Sequence, residues 1–119
     1  MKTEKSQTNC VNLEENLKKA LTELLILHLL NIREYFIGEL SEALKEHSCG
    51  VLKISFPYSA VYRLQQDGYI LDTAKRVASD GRRRQFYCIT QQGREYYERL
   101  LASYRYFISG VNTVLNIAL

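Results

Sequence analysis

Arg82, Arg83 and Arg84 form one run directly after Asp80-Gly81, and upstream Tyr58, Ser59, Tyr62, Arg63 and Gln66 recur at steps of one and three. Guanidinium groups make charge-assisted, bidentate hydrogen bonds to phosphate oxygens or to a guanine edge. Hydroxyls and a carboxamide hydrogen-bond phosphates and base edges more weakly. At helical spacing such groups share one face. The chemistry in view is recognition of a polyanion, not the making or breaking of bonds. The Ser, His and Asp residues of the chain form no nucleophile elbow, and there is no phosphate loop or dinucleotide fingerprint. Neither an enzyme nor a cofactor is expected. His28 and His47 are far apart and no Cys-x-x-Cys occurs, so no metal site is predicted.

The elements that position these residues can be read from local signals. Asp80-Gly81 is a strong hairpin signal and predicts strands over Tyr69–Val77 and Arg84–Ile89. Before it, Ser55 as N-cap and Pro57 in the first turn predict a helix with Pro57, Ala60, Val61 and Leu64 inward, ended by Gly68. Its outer face then carries Tyr58, Ser59, Tyr62, Arg63 and Gln66, while Arg82 and Arg83 tip the hairpin and Arg84 turns back toward the body. Two more helices precede. The first runs from Asn12 to about Asn31 on Leu13, Leu17, Leu21, Leu24, Leu25 and His28, and the second covers Tyr35–His47, with Phe36, Leu40, Ala43 and Leu44 on one face. Val51-Leu52-Lys53-Ile54 is a short β-type run. The order helix, strand, turn, strand behind two helices predicts a mainly α fold with a small β-hairpin wing (α+β), a winged helix-turn-helix. Ser55, Tyr58, Ser59, Tyr62, Arg63, Gln66, Arg82 and Arg83 are its expected DNA-binding residues. The competing readings are an ordinary solvated helix face and a solubilising arginine turn.

Thr90 is the expected N-cap of a long last helix, whose apolar stripe reaches the chain end and exceeds what a small core needs. That predicts a C-terminal dimerisation helix. Leu17, Tyr97, Leu100, Leu101, Tyr104, Phe107, Ile108 and Val111 are assigned to a homodimer seam, where the aromatic residues serve first in packing and, as the alternative reading, as a pocket for a small planar effector. The expected division is a flexible segment at 1–11, a winged-helix domain at 12–89 and a dimerisation helix at 90–119.

With 119 residues, 46% of them hydrophobic and 24% charged, the chain is long enough for one core and not of disordered composition. The net charge of +3 is mild; its distribution is more telling, since acidic residues gather in the first half and arginines in one turn. The first ten residues are polar, and the run Leu24–Leu30 is interrupted by His28 and too short for a bilayer, so a cytoplasmic protein without membrane contact is expected. Cys10, Cys49 and Cys88 are read as reduced thiols, with a redox sensor as the alternative.

The stretch Tyr58 to Ile70, with Arg83-Arg84-Gln85-Phe86-Tyr87-Cys88-Ile89-Thr90 followed by Gln91-Gln92-Gly93-Arg94-Glu95, resembles the two signature segments of PadR-like transcriptional regulators. Leu24–Leu30 is similar to their opening leucine-rich helix, and the likeness extends over about residues 20–115. It implies a homodimeric repressor of double-stranded DNA with a palindromic operator, in which Tyr58, Arg82 and Arg83 touch DNA. A single last helix looks like the short subgroup, whose drug-binding members carry Trp where this chain has Tyr104. A winged-helix protein-interaction module that does not bind DNA is the rival expectation.

Overall fold

A computed structural model describes the backbone of residues 2–118 and the side chains of residues 12–118. The side chains of the segment expected to be flexible, 1–11, and with them Cys10, lie outside the described residues. In chain order the elements are α1 (Lys2–Ile32), β1 (Tyr35–Phe36), α2 (Ile37–His47), α3 (Tyr58–Gln66), β2 (Ile70–Val77), β3 (Arg83–Ile89) and α4 (Gln91–Leu115). The strands form one antiparallel sheet in the order β1-β3-β2. This is the α+β winged helix expected, with its long C-terminal helix.

One core joins all of it. Ile26, Leu27, Leu29 and Leu30 of α1 pack with Leu40, Ala43 and Leu44 of α2, with Ala60, Val61 and Leu64 of α3, and with Ile70, Tyr87 and Ile89 of the sheet. The leucine-rich end of α1 is therefore the central post, which is why its sequence is apolar nearly all round there.

α3 stops where Gly68 takes φ +82, a conformation that costs glycine little and other residues more. The Gly68 amide donates to Gln65 O and the Tyr69 amide to Leu64 O, which closes the helix in a Schellman motif. At the same end of the sheet, where β3 finishes, Thr90 Oγ1 accepts from the Gly93 amide at 3.0 Å and donates to Gly68 O at 2.7 Å. One hydroxyl thus caps α4 and fastens it to the end of α3.

Four expectations about local structure are corrected. The first helix begins at Lys2 and not at Asn12, since its polar first residues continue the helical backbone without an apolar stripe to mark them. The second helix begins at Ile37 and not at Tyr35; Tyr35 and Phe36 pair with Tyr87 and Phe86 as β1. Both side chains are buried, and the open side of β3 satisfies backbone groups that a helix start would leave free. Val51–Ile54 is loop and not strand. Cys49 and Gly50 both have positive φ, which swings the chain away from the sheet, and the Leu52 amide donates to Ser48 Oγ in place of a strand partner. Finally, α3 is capped by Pro57 and not Ser55, and Pro57 points outward. Ile54 and Phe56 alternate into the core ahead of the helix and take the inward place assigned to Pro57.

Candidate nucleic-acid interface

The wing tip is built by a local carboxylate. The Gly81 amide donates to Ala78 O and the Ala78 amide to Arg82 O, so residues 79–81 form the turn, with Gly81 at φ +80. Asp80 accepts from the Arg82 amide at 3.0 Å and from Arg84 Nε and Nη2 at 3.1 and 2.8 Å. The hydrogen bond from Arg84, then that from the Arg82 amide, holds the Asp80 carboxyl below its ordinary value. Arg84 also lies 5.3 Å over the Phe36 ring. Its charge is spent inside the wing, as expected of an arginine turned inward, and Arg82 and Arg83 remain exposed.

The wing stem is tied to the body through Glu34, in the link between α1 and β1. Its Oε1 accepts from Thr73 Oγ1 and from Arg76 Nη1, each at 3.0 Å, and Arg76 also stacks over Phe86 at 3.7 Å. Between Asp72 and Lys75 the register shifts by one, placing an extra residue in β2. The Gln85 amide group spans that bulge, donating to Thr73 O and Phe86 O.

On α3, Tyr58, Ser59, Tyr62, Arg63 and Gln66 are all exposed, and so is Ser55 just before it. Tyr58 and Tyr62 lean together, ring centroids 6.1 Å apart. Burial pushes the Tyr87 phenol up, with Tyr62, Asp72 and Tyr58 adding to it, so these groups form one cluster between α3 and the wing base. Gln65 donates to Asp72 on β2 at 3.2 Å and is occupied there. Arg63 is the one expected reader that turns to its own protein, with Nε 3.7 Å from Glu23 Oε2 on α1. Glu34, Arg76 and Glu23 were not singled out in the sequence. Their partners lie tens of residues away, and no local pattern marks them.

The second group of expected residues divides along α4. Tyr97 is buried, and its hydroxyl lies 2.7 Å from Nδ1 of the exposed His28. Leu100, Leu101, Ile108 and Val111 are half-buried, whereas Tyr104 and Phe107 are exposed, as is Leu17 on α1. Leu17, Tyr97, Leu101 and Tyr104 line a groove of about 640 Å³ between α1, α4 and the loop 51–54. Ile108 and Phe107 lie further along the helix. Among the described residues no helix is long and apolar enough to cross a membrane, and no three His, Cys, Asp or Glu side chains converge as metal ligands would.

The family model of the transcriptional regulator PadR-like family matches residues 26–99, from the central post through the wing into α4. A PadR-like transcriptional regulator from Bacillus cereus superposes with a TM-score of 0.69 at 28% identity, over 84% of this chain and 96% of its own. A transcriptional regulator from Clostridium thermocellum gives 0.72 at 24% identity, over 82% and 93%. A PadR family regulator from Eggerthella lenta gives 0.71 at 18% identity, over 97% of each chain. The last two likenesses are of fold alone. A search of curated proteins gave no match.

Proposed function

The chain belongs to the PadR-like family of transcriptional regulators, and from that premise we propose that it is a homodimeric, cytoplasmic repressor of a palindromic operator in duplex DNA, released by a small planar effector. The observation that carries the reading is the pairing of an exposed polar face on α3 with a wing whose tip keeps two free guanidinium groups. A major groove admits a helix, and two copies related by a twofold axis meet half-sites one helical turn apart. Tyr58, Ser59, Tyr62, Arg63 and Gln66 read or clamp the groove, while Arg82 and Arg83 hold the neighbouring backbone or minor groove. Effector binding in the groove between α1 and α4 changes the setting of α4, hence the half-site spacing, by favouring one of two states.

The test is fluorescence-anisotropy titration of duplex from the gene's own upstream region against scrambled duplex at several salt concentrations. Binding should prefer the upstream duplex and weaken steeply with salt. Arg82→Ala/Arg83→Ala should keep the fold, weaken binding on every sequence and lower the log–log salt slope by roughly 4, since two contacts are lost from each protomer of the dimer. Unchanged affinity would refute the wing assignment. Weak binding that is equal on both duplexes would point instead to a protein-interaction module.

A further inference from the structure

Glu23 of α1 is a side chain on which three helices meet. Its Oε1 accepts from the Tyr96 hydroxyl of α4 at 3.2 Å, and its Oε2 lies 3.7 Å from Nε of Arg63 on α3. Tyr96 is itself held: its ring stacks on Tyr69 at 4.2 Å and 12°, and Tyr69 closes the C-terminus of α3. The Tyr96 hydroxyl is the donor in this bond, and burial, and after it the Glu23 charge, push its phenol above the ordinary value.

Arg63 meets Glu23 through its inner nitrogen. The donors on Nη1 and Nη2 remain, and they are the pair that fits a phosphate or a guanine edge. The Arg63 side chain is 63% exposed and that of Glu23 only 27%. A long exposed side chain loses rotamer freedom when it binds, and holding it in place beforehand removes part of that cost.

We propose that Glu23 is a positioning residue: fixed by Tyr96, it presents Arg63 to DNA, and a displacement of α4 that breaks the Tyr96–Glu23 bond loosens Arg63. This rests on the reading of α3 as the DNA-reading helix and deepens it, since it connects the helix assigned to dimer and effector with a reader of the groove. A pair as exposed as this one adds little to stability. Its effect belongs in sequence discrimination, not in melting.

The test measures the ratio of affinities of the full chain for a duplex selected from a random pool and for scrambled duplex. Tyr96→Phe leaves every charge in place. It should keep the melting transition and lower the ratio by about two- to fivefold, the range an exposed ion pair supplies. Glu23→Gln should lower the ratio while tightening scrambled binding, because a negative charge leaves the neighbourhood of the phosphates. In an Arg63→Ala background neither change should lower the ratio further, the non-additivity expected of coupled groups. If Tyr96→Phe shifts melting, the cycle of Glu23→Gln with Arg63→Ala decides instead. An unchanged ratio in both single variants, or an equal drop with and without Arg63, overturns the proposal while the DNA reading stands. A wild-type chain that prefers no duplex overturns both.

Discussion

Glu34 receives two donors on one oxygen, from Thr73 and Arg76, and so joins the wing stem to the end of α1. The Arg76 hydrogen bond, then that of Thr73, hold its carboxyl below the ordinary 4.5. A lowered folded value means the ionised form favours the folded wing. Its contribution is complete above the ordinary value and is lost as pH falls through the lowered one. Amide hydrogen exchange in β2 should therefore accelerate relative to the core at pH below about 4.5. Glu34→Gln should show the faster exchange already at neutral pH; equal exchange in variant and wild type would mean the tether does not hold the wing. This pair joins residues 42 apart, so no local pattern could reveal it. Gly68 and Thr90 were legible because a helix stop and a helix cap depend on their immediate neighbours.

Among the elements, the hairpin strands stand within one residue of their expected bounds and α3 begins two residues later than expected, because turn chemistry fixes the hairpin and the helix period fixes the face of α3 but not its first residue. β1 could not be foreseen: Tyr35-Phe36 suits either state locally, and only β3 makes it a strand. The candidate readers on α3 followed from one face of the same helix, but the inward turn of Arg63 needed α1. The seating of α4 on the sheet depends on Gly93. A methyl group there would overlap the Tyr69 carbonyl oxygen and lie 2.8 Å from Ile89 Cγ1. Tyr69 O is also the acceptor for the Thr90 amide, so it cannot simply move aside. Gly93→Ala should cost roughly 1–3 kcal/mol by denaturant unfolding, the usual range for overpacking. A loss below half of that would show that α4 slides without penalty.

For the molecule as a whole, the far half of α4 contributes no buried side chain to the core of the described residues. From Tyr104 to Ala118 no residue is buried, and Phe107 and Val114 are 70% and 84% exposed. Phe107→Asp/Val114→Asp should therefore leave the protomer's melting intact. It should give monomers by sedimentation and weaken operator binding by about a hundredfold, because two tethered half-site contacts become separate ones. Dimers that persist would move the seam elsewhere. The bulge in β2 has a consequence at this scale too. β2 is the longer of the two outer strands of the sheet, and a straight outer strand invites pairing with another molecule's strand, the first step to aggregates. The extra residue between Asp72 and Lys75 breaks the even row of free amides and carbonyls, and the exposed Lys75 follows it with a charge that would meet its own like in a second copy. An edge broken in this way is poorly suited to pairing with the same strand of a second copy.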